Sequence, residues 1–431
     1  QVHSMQWPAA CRTVCFFLIN VSGSQKRGLT MKDRHSITSQ LTLTRRDMLK
    51  SLAATGAFAL TGSLGFSSVA AAADSQTVRA YGVTTAQLKD WSMLTKSTGL
   101  KMQFIGSNND VGVYMRDILA SQMGNKADIF IFEGGTQNIL GPQGAYLVLD
   151  EKNPNLKLWQ RTPDVWKRSQ VVVGKDGKQY GVPVIGNADS FGYFPDKLGV
   201  KPDGTSDLSW KTVFEDDRTR GRVGYDNEWN YSIGVAALYL KSTGKAKVDN
   251  PADLTPEEAK TVVDFLVARK KAGQFRTLVS SYEQQIQLLT NHEVDVLNCW
   301  EPAVHEANLK LGDGKTRYAY TEEGYYKWGH GAYMASQVKS RGNEDTVYKM
   351  LNYFLDGEYR ALQARDRGYA GPNMDLAVQY ATAHNWSADQ IQSLKETQQK
   401  VDRKFSKPFV STTTPSHSDA IEEEWQRFLN A

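Results

Sequence analysis

From Gln76 onward, short β-branched runs alternate with amphipathic segments, and this alternation restricts the fold more than any other feature of the chain. Thr77-Val78-Arg79-Ala80-Tyr81 reads as a strand. Ala86 to Ser97 reads as a helix with Leu88, Trp91 and Leu94 on one face and Gly99 as its stop. Leu100 to Ile105 is a second strand and Val111 to Met123 a second helix. Asp128-Ile129-Phe130-Ile131-Phe132 is a continuous apolar run, as expected of a strand buried on both faces. Strand–helix–strand–helix–strand of this kind implies parallel pairing through right-handed crossovers, an α/β fold. Further on, Thr255-Pro256-Glu257-Glu258 is a capping box opening a helix to Ala272. Ser387-Ala388-Asp389-Gln390 is another, opening a helix to about Lys404.

A chain of 431 residues exceeds what one ordinary core accommodates, so two α/β lobes are expected. Tyr180-Gly181-Val182-Pro183-Val184-Ile185-Gly186-Asn187 reads as a strand crossing out of the first lobe. Trp328-Gly329-His330-Gly331 reads as the return. On that reading residues 74–187 with about 329–376 form lobe 1, and 188–328 with about 377–431 form lobe 2. A cleft between two such lobes, outside the carboxyl ends of strands, is the natural pocket.

The formal net charge of +4 suggests an anionic partner until it is located. Residues 1–73 hold 8 of the 51 Lys and Arg but 2 of the 47 Asp and Glu, so they carry +6 and the remainder −2. The basic character belongs to an N-terminal address. Thr44-Arg45-Arg46-Asp47-Met48-Leu49-Lys50, a mildly apolar stretch and Ala71 and Ala73 form the three-part pattern of a secretory signal, with the twin arginine pointing to the twin-arginine export machinery. Cleavage is expected after Ala73, giving a periplasmic chain, with residues 1–30 as an over-extended start. Cys11 and Cys15 fall in that extension. Cys299 remains in an apolar run and reads as a buried, inert thiol.

Motifs for catalysis are missing. His292-Glu293 and His305-Glu306 each lack a second His four residues after the first, no Walker A sequence occurs, and no G-x-G-x-x-G follows a strand. No Cys-x-x-Cys pair occurs, and the seven His are scattered singly. What stands out is aromatic residues beside carboxylates in Tyr225-Asp226-Asn227-Glu228-Trp229-Asn230-Tyr231 and Leu297-Asn298-Cys299-Trp300-Glu301-Pro302, and the aromatic cluster Tyr325-Tyr326-Lys327-Trp328-Gly329-His330 at the return crossing. A ring face attracts a cation by about 0.5–2 kcal/mol, and a carboxylate adds Coulomb attraction. Such groups together make a recipe for an organic amine, although any single aromatic is as readily core packing.

In the order and spacing of several landmarks the chain resembles the periplasmic solute-binding proteins of ABC importers, specifically the spermidine/putrescine-binding group. They are Thr95-Lys96-Ser97-Thr98-Gly99-Leu100-Lys101, Ala127-Asp128-Ile129-Phe130, Tyr180-Gly181-Val182-Pro183, Val294 to Trp300, Lys349 to Leu355, and Arg367-Gly368-Tyr369-Ala370-Gly371-Pro372-Asn373. The resemblance spans roughly Val78 to Phe428. It implies a two-lobed, type II-like periplasmic-binding-protein fold whose hinge strands let the lobes close on a solute for a membrane permease. It also implies a binding protein, not an enzyme, without cofactor or metal, expected as a monomer with no nucleic-acid partner.

By the same resemblance Trp300 and Trp328 pack on the ligand chain, Tyr369 lies in the Gly-Tyr turn, and Glu228 falls where the group holds an amine. Glu301 is the neighbouring carboxylate. Three positions depart from the group: Val83 replaces a Trp after the first strand, Gly134-Gly135 replaces an aromatic beside Glu133, and His330 replaces an acid two places beyond the second Trp. A polyamine or other organic amine is therefore the first expectation. A zwitterion or an anion using His330 and the amides of Gly134-Gly135 is the second, and an exported enzyme the rival class.

Overall fold

The computed structural model describes residues 76–107 and 111–431; the expected export signal, Cys11 and Cys15 lie outside the described residues. The first lobe begins β1 (Thr77–Gly82), α1 (Ser92–Thr98), β2 (Lys101–Gly106), α2 (Val111–Leu119), β3 (Ile129–Glu133), and the chain then leaves through β4 (Gly181–Tyr193). The second contains β5 (Val223–Asp226), α3 (Trp229–Ser242), α4 (Pro256–Lys271), β6 (Phe275–Val279), α5 (Tyr282–Thr290), β7 (Val296–Cys299) and α6 (Glu301–Leu311). The return is β8 (Tyr325–Met334), followed by α7 (Gly357–Arg367), α8 (Met374–Ala383), α9 (Ala388–Phe405), β9 (Phe409–Ser411) and α10 (Ser418–Leu429).

The strands lie in the order β2-β1-β3-β8-β4-β7-β5-β6. Pairing is parallel within each outer set and antiparallel only where β8 and β4 enter. β4 has 13 residues, about 40 Å of strand, enough to cross both lobes. Val182, Val184 and Ile185 at its start join one core, and Phe191 and Tyr193 at its end join the other. β8 divides in the same way, with Ala332, Tyr333 and Met334 in the first core and Tyr326 in the second. This is the two-lobed α/β architecture, with β4 and β8 as the hinge strands.

Both capping boxes form: the Thr255 and Ser387 side chains accept from the N3 amides while Glu258 and Gln390 reach back. Two helices are shorter than their periodicity suggests. α1 starts at Ser92 rather than Ala86, because Asp90 takes the amide and hydroxyl of Ser92 and Thr84–Ala86 close into a 3-10 turn. α2 stops at Leu119, and Gln122 turns into the left-handed region at φ 49°. Of residues 377–431, expected with lobe 2, β9 and α10 do enter the second core, through Val410, Ile421, Trp425 and Phe428. Residues of α8 and α9 instead build a small separate core on α7, where Ala377 and Ala381 match Ala361. Cys299 is buried, and burial pushes its thiol well up, away from reactivity. Among the described residues no helix is long and apolar enough to cross a membrane.

Candidate functional site

Carboxylates from both lobes and from the hinge converge where the strands end. Glu133 closes β3, Asp226 closes β5, Asp189 sits within β4, and Glu228 caps α3 by accepting from the Tyr231 amide at 3.0 Å. The β8–β4 pairing sets Tyr326 opposite Asp189, and the β8–β3 pairing sets His330 opposite Glu133. Asp226 accepts from the Glu228 amide at 2.8 Å and from Gln285 Nε2 at 3.1 Å, which fixes its orientation.

Burial raises all four acids: Glu133, Asp189 and Glu228 to about 7 and Asp226 to about 6. Like charges add to this, Glu228 and Asp189 acting on Glu133, and Asp226 acting on Glu228. Asp189 and Asp226 are buried, whereas Glu228 is exposed and Glu133 half-buried, so these two keep contact with solvent. Acids that keep solvent contact while facing like charge suit the wall of an interlobe cleft. None of the four forms an ion pair with a described residue; the Lys404 charge acts on Asp189 across the hinge. Among the described residues no three potential ligands come together to hold a metal ion.

Ring faces run along the same cleft. Trp328 touches both lobe cores, meets Tyr369 edge-on at 5.7 Å, and lies beside Asp189, whose carboxyl its indole helps to lower. His330 is 5.5 Å from Trp328, and its Nδ1 is paired with Thr85 Oγ1 at 3.1 Å. Burial lowers the imidazole to about 4, so it is neutral at pH 7 and does not repel a cation. Trp300 caps α6, stacks on Tyr282 at 6.1 Å and remains 44% exposed, free to meet a ligand.

Glu301, expected as a charge partner for the ligand, is already engaged. Lys400 and Lys404 each pair with it at 3.0 Å, and Asn187 Nδ2 donates to it at 3.3 Å. The expected anion cradle at Gly134-Gly135 is occupied as well: the Gly134 amide donates to the Gly329 carbonyl and the Gly135 amide to Gln137 Oε1. Asp189 and Tyr282 are additions that sequence reasoning passed over; Asp226 and Tyr326 stand in the quoted aromatic segments but were not singled out there. The available signal for Asp189 was that it is the lone carboxylate of the crossing strand. A surface depression of about 380 Å³ beside β6, lined by Arg276, Gln284 and Glu293 among others, lies apart from these groups. It offers no ring face, and Arg276 and Glu293 neutralise each other at 3.1 Å.

A family model for bacterial extracellular solute-binding proteins matches residues 56–393. Similar solved structures include the spermidine/putrescine ABC transporter substrate-binding protein PotD of Streptococcus pneumoniae, with TM-score 0.63 and 14% identity over 82% of this chain and 99% of that one. A putative spermidine/putrescine ABC transporter protein of Listeria monocytogenes gives TM-score 0.57 and 17% identity over 82% and 99%. An ABC transporter solute-binding protein of Agrobacterium vitis with bound D-mannitol gives 0.52 and 14% over 82% and 97%. A search among curated proteins returned no match.

Proposed function

The chain belongs to the bacterial extracellular solute-binding protein family, the substrate-binding components of ABC transporters rather than enzymes, and on that premise we propose that it captures an organic amine between its lobes. One observation carries this reading: four carboxylates, Asp189 and Asp226 buried and Glu133 and Glu228 partly open to solvent, converge with no ion-pair partner among the described residues, beside the ring faces of Trp328, Tyr369 and Trp300. An ammonium ion relieves the mutual repulsion of Glu133, Asp189, Asp226 and Glu228 and lies against ring faces at once. A purely anionic solute finds the Gly134 and Gly135 amides taken and His330 neutral, so the observations favour the cation.

Contacts to Glu133 from one side and to Asp226 and Glu228 from the other draw the lobes together about β4 and β8. The ligand shifts the open–closed equilibrium by its differential affinity for the closed form. In this reading the chain is exported by the twin-arginine route to the periplasm and hands the amine to a membrane permease.

A thermal-shift panel of monoamines, polyamines, amino acids, polyols and carboxylates tests the proposal. Amines at about 100 times Kd are expected to add about 2.7 kcal/mol of stability. Trp300→Ala removes an exposed ring, so its empty protein should melt like the parent. Its amine affinity is expected to fall about tenfold, the worth of a desolvated ring face. An unchanged affinity removes Trp300 from the site, and a panel answered only by carboxylates or polyols ends the amine reading.

A further inference from the structure

Gln285, on α5, is 1% exposed, and its side chain is spent on two residues of the candidate site. Its Oε1 accepts from the Trp300 amide at 3.2 Å, and its Nε2 donates to Asp226 Oδ2 at 3.1 Å. A side-chain amide carries its acceptor and its donors on opposite atoms, so these two partners admit one orientation only. Asp226 Oδ1 accepts from the Glu228 amide at 2.8 Å, so both carboxylate oxygens face donors, which favours the ionised form. Trp300 is gripped twice by the same helix. Gln285 holds its amide, and its ring stacks at 6.1 Å on Tyr282, one turn earlier on that face of α5.

This linkage supplies what the sheet does not. Asp226 closes β5 and Trp300 follows β7, but the ladder between those strands ends at Gly224 and Leu297. Beyond it the strand ends are tied through side chains: the Asp226 amide donates to Asn298 Oδ1 at 3.3 Å, and Gln285 bridges Asp226 to Trp300. The titratable groups that feel the Asp226 charge are Glu228 and Tyr231 from α3 and its cap, Asp189 of β4, Cys299 of β7 and Tyr225 of its own strand, and none of these is a cation. Burial raises Asp226 to about 6, and the Glu228 amide and Gln285 oppose the rise.

We propose that Gln285 is a positioning residue: it locks the Trp300 ring and the Asp226 carboxylate at one spacing and keeps that carboxylate an acceptor, so that an ammonium meets ring face and fixed charge together. The inference rests on reading the acidic cleft as the amine site, and it makes Asp226 the standing anion of that site.

Calorimetric titration of n-alkylamines into the parent, Gln285→Met and Gln285→Glu at pH 6 and pH 9, with melts of each empty protein, tests it. Met keeps the length of the side chain and loses both hydrogen bonds. At pH 6 Gln285→Met is expected to bind the best amine about tenfold more weakly, the worth of one hydrogen bond to a charged group. It should also release more protons per amine bound, because Asp226 has lost a donor to its ionised form, and its deficit should narrow by pH 9. In a Trp300→Ala background the same change should cost less, since one of the two groups it holds is gone. Gln285→Asn, too short to reach both partners, repeats the test with a polar side chain. At pH 6 the acid of Gln285→Glu shares one proton with Asp226, which restores both hydrogen bonds at the parent's net charge, so its affinity is expected within about twofold of the parent. A glutamine with a merely structural role would lower the melting temperature of Gln285→Met and leave its amine affinity and proton release at parent values. That result overturns the proposal, as does a Gln285→Glu protein that binds as weakly as Gln285→Met at pH 6. Failure of every amine to bind the parent strikes the cleft reading, and this one with it.

Discussion

Replacing Asp189 by Asn is expected to stabilise the empty protein and to cripple amine binding. Asp189 is 4% exposed, and burial is the main cause that raises its carboxyl to about 7; Lys404 opposes the rise, and Glu301 and Asp226 add to it. A folded-state value above the unfolded 3.8 costs stability. The cost is absent below pH about 4, grows as pH rises toward the folded value, and is complete above it. At 1.36 kcal/mol per unit, Asp189→Asn should gain about 2–4 kcal/mol at pH 8 and little at pH 4. Asn keeps the shape of the side chain and a carbonyl oxygen beside the Trp328 indole. The same change deletes an anion facing the ligand, and losing one side of a buried charge pair costs about 2–5 kcal/mol, a drop of thirtyfold or more in affinity. Urea melts at both pH values and amine titration measure the two effects. A variant less stable than the parent at pH 8, or one that binds amines normally, contradicts the assignment of Asp189.

Lys404→Met should act in the opposite sense, as a structural lesion with no gain at any pH. Lys404 is 2% exposed in its side chain and holds Glu301 at 3.0 Å and the Ala188 carbonyl at 2.9 Å, joining α9 to the start of α6 and to a hinge strand. Burial pushes Glu301 up, but two ammonium groups more than reverse this and hold it well below the usual carboxylate range. For Lys404 itself burial outweighs the attraction of Glu301 and Asp189 and lowers it, so the stabilisation is credited to Glu301, which has two cations. Stability from a depressed carboxyl is present above about pH 4.5 and lost as pH falls below that value. Breaking such a pair typically costs about 3–5 kcal/mol. The double variant Glu301→Gln with Lys404→Met should be the milder lesion, since it leaves no unpaired acid. Equal losses in single and double variants would show that the pair is not coupled.

The hinge was legible because Gly181 to Gly186 is an apolar run ending in a glycine bend and Gly329 breaks the later Trp328–Gly331 stretch, although both strands run on through polar residues such as Asp189 and Lys327. The aromatic members of the proposed site were picked out for a related reason, since Trp300 and Trp328 stand where strands end or cross. The carboxylates were harder. Asp189 becomes a site residue through its pairing opposite Tyr326, and Asp226 through Gln285 from another helix. Glu301 looked available because its neighbours in sequence are apolar. The lysine that neutralises it lies 103 residues away and arrives only when α9 packs against the hinge. Local pattern reveals which groups are charged; tertiary packing decides which of those charges are already paired.

The central claim is that the cleft takes a cation, and proton bookkeeping reads it most directly. Titrating the protein at pH 6.5 with the best-binding amine in two buffers of different ionisation enthalpy gives the number of protons exchanged. Glu133, Asp189 and Glu228 are raised to about 7, so part of each is protonated in the empty cleft and must ionise to receive an ammonium. The expected result is net proton release that fades by pH 9, with affinity rising over the same interval and the isosteric neutral alcohol failing to bind. Amine binding with no proton release at pH 6.5, or an alcohol that binds as tightly as the amine, would contradict it.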